Sequence, residues 1–258
     1  MSKEELTKTE ETAEKTTFKV MTFNIQHGEV WEAQKIDLAA FGIYVRSKSP
    51  DVCGLNEVRG QGSTNPEYTN QAPTIGAIAD YNSYFGESVK IYGTDPYGNA
   101  ILSKTSFKSV ETVKIPDPAD LEWNETRSVI KAVTELGGRE VCFLVSHFGL
   151  TDVEKTKAVE TVCGLIDAID MPLVLMGDFN MCPDDEKLIP IRERLTDSDD
   201  TAETGGQFTF ATYDPQIKID YIFYKGLDCL SCTTLTEPLS DHFPIICEFT
   251  FKEDSNEL

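Results

Sequence analysis

The sequence predicts an α/β protein, because strand-length apolar runs alternate with longer amphipathic stretches along most of the chain. A second observation is that 258 residues, 40% of them apolar, suffice to bury a large core. A third is that no internal repeat or linker divides the chain. We therefore predict one domain over residues 18–258, preceded by a disordered lead-in over the Lys-, Glu- and Thr-rich residues 1–17.

Short runs rich in β-branched and aromatic residues predict the strands. Several of these runs end on a polar residue, the kind of position from which a site at a sheet edge takes its side chains. The predicted strands are Phe18 to Ile25, Val52 to Leu55, Asn99 to Ser103, Val129 to Glu135, Val141 to His147, Leu173 to Gly177, Ile219 to Tyr224 and Ile245 to Phe251.

Three helices are predicted between these strands. Apolar residues recur near helical spacing from Ile36 to Val45, and Ser49-Pro50 ends that helix. Asp152 is predicted to cap a helix that runs to about Asp170. Pro183 is predicted to open a third helix, because its ring suits a first helical turn.

Two stretches are predicted to be long surface loops. Residues 59–98 are rich in Gly, Pro, Asn and Tyr, and residues 196–206 are polar and acidic. Loops of this length commonly carry the choice of substrate.

The charge of the chain argues against a long nucleic acid as substrate. The net charge is −21, with 44 acidic residues against 23 Lys and Arg. Binding a phosphate backbone requires a basic face, because neutralised phosphates supply most of the non-specific affinity. A local basic patch remains compatible with this composition, since net charge describes only the whole surface.

The distribution of apolar residues and cysteines predicts where the protein resides. The apolar stretches are strand-sized, far short of the roughly 20 residues that cross a bilayer. The seven cysteines are an odd number and lie mostly in or beside apolar segments, which suits reduced thiols. We expect a cytoplasmic monomer with no membrane partner.

Polar groups recur at five predicted strand ends, and their combination favours phosphate ester hydrolysis. Taken singly, each is equally typical of a cap, a turn or a core hydrogen bond. Together they supply oxygen ligands for a hard cation, a base for water and donors for charge on phosphorus. These groups are Asn24, Glu57, His147, Asp178 with Asn180, and Asp241 with His242.

Seven short motifs carry a resemblance to a known family. They are Phe23-Asn24-Ile25-Gln26-His27-Gly28, the segment from Pro50 to Val58, the segment from Tyr97 to Ser103, Ser146-His147-Phe148, Gly177-Asp178-Phe179-Asn180, the segment from Ile219 to Phe223, and Ser240-Asp241-His242-Phe243-Pro244. In this order they resemble the motif set of the endonuclease/exonuclease/phosphatase superfamily. Its metal-dependent phosphoesterases include pancreatic-type deoxyribonucleases, abasic-site endonucleases, inositol polyphosphate 5-phosphatases and bacterial sphingomyelinases. The resemblance spans roughly Phe18 to Phe249.

The resemblance implies a fold and a metal site. The implied fold is a four-layer α/β sandwich, in which two packed mixed β-sheets are flanked by helices. Glu57 is similar to the family's main metal ligand, and Asn24 and Asp241 would lie on the metal or its waters. Mg²⁺, with Mn²⁺ as a substitute, fits a site of few carboxylates and several waters.

The resemblance also implies catalytic roles. Asp178 resembles the carboxylate that orients or deprotonates the attacking water, and Asn180 the amide that positions it. His242 resembles a histidine that faces the phosphate, and Asp220 the acid that holds it.

Three further residues complete the implied site. His147 stands where nucleases of the abasic-site type carry a tyrosine, which favours other branches of the family. Arg127 resembles an arginine near the phosphate, and Asn99 an amide that lines the site.

We therefore expect a Mg²⁺-dependent phosphoesterase that hydrolyses a phosphate ester or diester of a small phosphorylated metabolite by metal-assisted attack of water. The alternative is a nuclease on DNA or RNA, which would gather its few basic side chains at one mouth. These side chains would be Lys90, Lys104, Lys108, Arg127 and Lys131.

Overall fold

The computed structural model describes residues 16–68, 70–119, 125–201 and 207–253. Within these ranges the chain forms two six-stranded sheets, a small ribbon and four α-helices. The ribbon consists of β2 (Glu29–Val30) and β3 (Lys35–Ile36).

The first large sheet is mixed. Its strands are β1 (Thr17–Asn24), β4 (Val52–Arg59), β5 (Asn82–Ile91), β6 (Asp95–Ser103), β13 (Leu227–Thr234) and β14 (Ile245–Phe251). They lie in the order β13-β14-β1-β4-β6-β5. The central pair β1 and β4 is parallel, and the other neighbours are antiparallel.

The second large sheet repeats this plan. Its strands are β7 (Phe107–Lys114), β8 (Ser128–Leu136), β9 (Arg139–His147), β10 (Leu173–Asp178), β11 (Thr196–Asp197) and β12 (Asp220–Lys225). They lie in the order β11-β12-β10-β9-β8-β7, with β9 and β10 parallel. All eight predicted strands are present in the two sheets, with ends shifted by up to four residues.

The helices are α1 (Leu38–Lys48), α2 (Gln71–Ala79), α3 (Asp152–Asp167) and α4 (Ile189–Arg192). Asp37 caps α1 by accepting a 3.0 Å hydrogen bond from the Ala40 amide. The predicted cap of α3 was wrong by one residue. Thr151 is the N-cap, and it forms a capping box with Glu154.

Pro183 does not open a helix, contrary to the prediction. A 3₁₀ turn over Glu186–Leu188 leads into α4, and Pro190 occupies the first turn of that helix. The physical reasoning about proline applies to Pro190, whose missing amide hydrogen costs nothing in a first turn.

Three apolar clusters divide the molecule into four layers. One lies between the sheets and joins Ile101 and Phe249 of the first to Val145 and Ile222 of the second. A second packs α3 and α4 on the outer face of the second sheet. A third packs α1 and α2 on the outer face of the first sheet. The predicted α/β class is therefore confirmed, and the layers follow the order helix, sheet, sheet, helix.

Residues 59–98 are not one long loop. They contain the 3₁₀ turn Pro66–Tyr68, helix α2, strand β5 and the start of β6. The acidic stretch 196–206 begins with β11 and the 3₁₀ turn Ser198–Thr201, and residues 202–206 lie outside the described ranges. Turn-forming residues in the stretch 59–98 mark the connections between these elements.

The predicted lead-in of residues 1–17 falls almost entirely outside the described residues. Thr17 already pairs with Thr250 in the first sheet. No helix in the described part of the chain is long and apolar enough to span a bilayer.

Candidate active site

The site lies where the ends of both sheets meet. Asp178 ends β10, and the register aligns it with His147 at the end of β9 and with Asp220 at the start of β12. In the other sheet, Asn24 at the end of β1 is aligned with Asn56 of β4. Side chains from both sheets thus enter one space at the edge of the sandwich.

Glycine is required directly before the acid of β10. Gly177 has φ +142°, and a Cβ there would lie 1.8 Å from the carbonyl oxygen of Ser146. The amide of Asp178 donates a 3.0 Å hydrogen bond to Asn56 Oδ1 across the two sheets. Glycine therefore lets β10 approach its neighbours closely enough for Asn56 to fix the position of Asp178.

A bulge places Glu57 at the site. The register of β4 with β6 shifts between Leu55 and Val58, and Glu57 adopts a left-handed φ of 59°. Such a backbone conformation is costly for a residue with a side chain, and it is concentrated at functional positions. As a result Glu57 turns toward the site, and its Oε1 accepts a 3.1 Å hydrogen bond from Asn24 Nδ2.

Asp178 is a buried acid of the site. Its Oδ2 accepts a 3.1 Å hydrogen bond from Asn24 Nδ2, and its Oδ1 accepts one of 2.9 Å from the Asn180 amide. Burial raises the pKa of Asp178 to about 7, with a further increase from Asp220, while His242 opposes the rise. Such a carboxyl group can exchange a proton near neutral pH.

His242 is held by a buried acid. Its Nδ1 lies 2.8 Å from Asp220 Oδ2, and its Nε2 lies 3.7 Å from Asp178 Oδ2. Burial disfavours the charge on the imidazole, but Asp220 and the neighbouring acids together overcome this effect, and the pKa of His242 rises to about 10. His242 is therefore a cation at neutral pH, with Asp220 fixing its orientation.

His147 has the opposite character. Its Nε2 lies 3.1 Å from Asn180 Nδ2 and 3.3 Å from Asp178 Oδ2. Burial, reinforced by Arg127 and His242, lowers its pKa well below the usual value. A neutral His147 and a cationic His242 thus both lie near the carboxylate of Asp178. Asn180 also donates a 3.0 Å hydrogen bond to the Phe148 carbonyl oxygen, which fixes its position.

The predicted metal ligands offer the donors that a hard cation prefers. Glu57 and Asp241 both face the same cavity, and neither has a lysine or arginine within ion-pair distance among the described residues. Burial raises the pKa of Asp241, and the charge of Glu57 raises it further. The charge of His242 opposes this rise. Two carboxylates that face one cavity without a lysine or arginine partner, together with the Asn24 amide behind them, fit a divalent cation with oxygen ligands.

A second group of three side chains lies close enough together to hold a metal ion. Atoms of Asp178, Asp220 and His242 lie within 4.8 Å of one another. The short hydrogen bond between Asp220 and His242 already uses that pair. Glu57 and Asp241 remain open to the cavity. Asn24 is fully buried behind Glu57, and its Oδ1 accepts a 3.1 Å hydrogen bond from the Gln26 backbone amide.

One cavity of about 630 Å³ contains most of the predicted residues. Arg127 lies in its wall and forms a 3.0 Å ion pair with Glu125. Asn24 and Asp220 lie directly behind the wall and contact it through Glu57 and His242. The predicted residues that line it are Glu57, Arg127, His147, Asp178, Asn180, Asp241 and His242.

Asn99 does not line the cavity, contrary to the prediction. Its Oδ1 accepts a 2.8 Å hydrogen bond from Asn56 Nδ2, and its Nδ2 donates one of 3.0 Å to the Ser128 carbonyl oxygen. Both ends of the amide are thus occupied within the core. Asn99 positions Asn56, which in turn positions Asp178.

Sequence reasoning gave no role to Asn56 or Arg59, and it left His27 open between a residue at the rim of the site and a turn histidine. Asn56 is fully buried at the end of an apolar run, and that pattern was the available signal. His27 lies 3.4 Å from Glu57 Oε2, and Arg59 lines the cavity two residues beyond Glu57. The sequence analysis assigned Arg59 to the predicted surface loop over residues 59–98, and therefore not to the site.

Comparison of the sequence with known proteins identifies a family and a similar protein. A sequence model of the Endonuclease/Exonuclease/phosphatase family matches residues 21–242. The protein YbhP of Escherichia coli K12 is 23% identical over 246 residues, which cover 90% of this chain and 96% of that protein.

Solved structures share the fold. An endonuclease/exonuclease/phosphatase from Beutenbergia cavernae superposes with a TM-score of 0.79 at 21% identity, covering 92% of this chain and 72% of that one. The mannosyl-6-phosphatase Bt3783 of Bacteroides thetaiotaomicron superposes with a TM-score of 0.71 at 16% identity, covering 91% of this chain and all of that one.

Proposed function

The chain belongs to the endonuclease/exonuclease/phosphatase family of phosphoric ester hydrolases, and we propose that it is a Mg²⁺-dependent hydrolase of a small phosphorylated metabolite. The observation that carries the proposal is the convergence of Asp178, His242 and Glu57 on one cavity. A general base, a cationic hydrogen-bond donor and a metal ligand therefore reach the same reacting group.

The chain's own residues account for the steps of hydrolysis. Asp178 accepts the proton of the attacking water, which Asn180 helps to position. His242, protonated and held by Asp220, donates a hydrogen bond from Nε2 to the phosphate, where negative charge develops. Glu57, Asn24 and Asp241 would hold the cation, which would stabilise the negative charge that develops on the phosphate and the leaving group.

Size and charge support a small substrate. A cavity of about 630 Å³ suits a metabolite, since small-molecule sites commonly occupy a few hundred cubic ångströms. The similar mannosyl-6-phosphatase, which the chain covers completely, is consistent with a phosphomonoester as substrate. A cytoplasmic location and a monomeric state remain predictions from the sequence.

Most of the basic residues considered for a nuclease do not reach the cavity. Of the five basic residues considered for it, only Lys90 and Arg127 line the cavity. The other three, Lys104, Lys108 and Lys131, form ion pairs with Asp51, Glu135 and Glu111 at 3.2, 2.9 and 3.4 Å. Their charges are thus partly neutralised on the surface, away from the site.

A substrate panel tests the proposal. We expect hydrolysis of small phosphomonoesters with Mg²⁺ or Mn²⁺, little nicking of plasmid DNA and weak dependence on added salt. Abasic duplex DNA and small phosphodiesters complete the panel. A clear preference for plasmid, with binding that falls steeply as salt rises, would replace the small-molecule proposal with the nuclease alternative.

A further inference from the structure

Arg59 stands in the cavity wall without an anionic partner. Its guanidinium lies over the rings of Tyr68 and Tyr97, with Cζ 4.9 and 4.8 Å from the ring centroids. Among the described residues no carboxylate lies within ion-pair distance of it, and its buried Nε has no hydrogen-bond partner. In a chain of net charge −21, a fixed arginine in this state leaves a positive charge directed at the cavity.

The two tyrosines hold the guanidinium and leave its donors available. A guanidinium that stacks on aromatic rings keeps the N–H groups in its plane, where they can form a fork to a carboxylate or a phosphate. Glu125, an acid that also lines the cavity, is engaged by Arg127 at 3.0 Å. Arg59 is therefore positioned to bind an anion that enters from outside.

The strand sets the distance between this arginine and the metal site. Glu57 and Arg59 both line the cavity, while Val58 between them is buried in the core. The chain spans at most about 7 Å over two residues, and the bulge at Glu57 shortens this distance further. A group bound by Arg59 would thus lie a few covalent bonds from a phosphate at Glu57.

We propose that Arg59 binds a second anionic group of the substrate, so that the preferred substrate is a small phosphate ester that also carries a carboxylate or a second phosphate. This inference rests on the proposed function, because it places the hydrolysed phosphate beside Glu57. It makes Arg59 a residue of substrate choice with no part in the chemical step.

Binding of non-hydrolysable probes with Mg²⁺ tests the subsite directly. Propylphosphonate carries one anionic group, 3-phosphonopropionate adds a carboxylate, and propane-1,3-bisphosphonate adds a second phosphonate. We expect the wild type to bind at least one two-anion probe about tenfold or more tightly than propylphosphonate, as charge-assisted hydrogen bonds allow. The better of the two identifies the second group.

Substitutions at Arg59 separate the subsite from the rest of the site. Arg59→Gln should abolish the preference for two anions and leave propylphosphonate affinity within about threefold. Arg59→Lys keeps the charge without the planar fork and should retain part of the preference. Arg46→Gln removes the same charge from the exposed face of α1. It should change the affinity neither for propylphosphonate nor for the two-anion probes.

The outcomes are distinct. Equal affinity of the wild type for all three probes, including no binding of any, overturns the inference. So does an equal effect of Arg59→Gln on both kinds of probe while circular dichroism shows a folded protein. If Arg59→Gln does not fold, Arg59→Lys provides the test. Full retention of the preference for two-anion probes in that variant would contradict a bidentate contact between the Arg59 guanidinium and the second anionic group.

Hydrolysis assays distinguish this inference from the proposed function. With one-anion and two-anion phosphomonoesters of matched skeleton, Arg59→Gln should raise KM for the two-anion ester alone and leave kcat nearly unchanged. Hydrolysis without such discrimination leaves the proposed function intact and removes the subsite. Selective binding without hydrolysis of any phosphate ester leaves the subsite and removes the proposed function.

Discussion

Asp178 and His242 lie 3.7 Å apart and have shifted pKa values for different reasons. Burial is the largest influence on both pKa values, and it raises that of Asp178, whereas at His242 Asp220 and the neighbouring acids together overcome it. A buried acid that titrates near pH 7 beside a persistent imidazolium divides the roles of proton acceptor and hydrogen-bond donor. The environment of each residue, more than its chemical type, assigns its role.

Substitution of Asp220 tests how His242 keeps its charge. Asp220→Asn removes the carboxylate that lies 2.8 Å from Nδ1, so the pKa of His242 should fall from about 10 by one unit or more. The chain has three histidines, which makes an NMR titration of the imidazole signals tractable. An unchanged His242 titration in the folded variant would show that Asp220 does not hold the charge.

Substitution of Glu57 tests the metal assignment. Glu57→Gln retains the shape of the side chain and removes one ligand charge, so the Mg²⁺ concentration at half-maximal activity should rise by about tenfold or more. Glu140→Gln, at an exposed position on β9, is the matched control. It should leave the Mg²⁺ concentration at half-maximal activity unchanged. If both variants show the wild-type Mg²⁺ dependence, Glu57 does not bind the metal.

The sequence revealed those site residues that stand in recognisable local motifs, such as Asp178 before Phe179-Asn180 and His242 after Asp241. It did not reveal Arg59, because the significance of that residue depends on Tyr97 across the sheet and on Tyr68 from a 3₁₀ turn. It also assigned Asn99 to the wall, since local sequence does not show that Asn56 and Ser128 use both ends of its amide.

At the scale of elements, burial explains which strands were predictable. Every residue of β10 is buried, which gives the continuous apolar run that the sequence displays. The missed strands β5, β7 and β13 lie at or next to sheet edges and expose many side chains, so their sequences contain polar residues typical of loops. Pairing with a neighbouring strand holds them in the sheet despite this composition.

The approach of β10 to β9 depends on Gly177. In Gly177→Ala the new methyl group would overlap the Ser146 carbonyl oxygen. The free energy of unfolding should therefore fall by about 2 kcal/mol or more. Gly164→Ala is the control, because that site in α3 has open space around it and alanine favours a helix. Thermal or urea unfolding measures both. Equal stability of the two variants would show that β10 tolerates displacement at this point.

At the scale of the whole molecule, the protein combines an acidic surface with buried groups that retain protons. In the metal-free protein the raised pKa values of Asp178 and His242 mean that the folded state holds protons which the unfolded state has released. For Asp178 this applies between about pH 4 and 7, and for His242 between about pH 6.5 and 10. Rising pH therefore favours unfolding in both windows.

Unfolding of the metal-free protein should accordingly depend on pH. Between pH 5.5 and 7 the raised pKa of Asp178 and the lowered pKa of His147 act in opposite directions, so Asp178→Asn should make the melting temperature rise more, or fall less, with pH there than in the wild type. With a chelator present, we expect the melting temperature of the wild type to fall from pH 7 to pH 9, where the raised pKa of His242 acts, and added Mg²⁺ to raise it more at pH 9, because the cation replaces the missing positive charge. A melting temperature that rises with pH across this range would contradict the assigned shifts.

The most direct test is the turnover of Asp178→Asn with saturating Mg²⁺ on the phosphomonoester that the wild type hydrolyses best. The account predicts a folded protein whose kcat is lower by about 10²–10⁴, because the proton acceptor for water is lost. Asp228→Asn, an exposed acid on β13, should turn over at the wild-type rate. Near-full turnover by Asp178→Asn would contradict the claim that this carboxylate activates the attacking water.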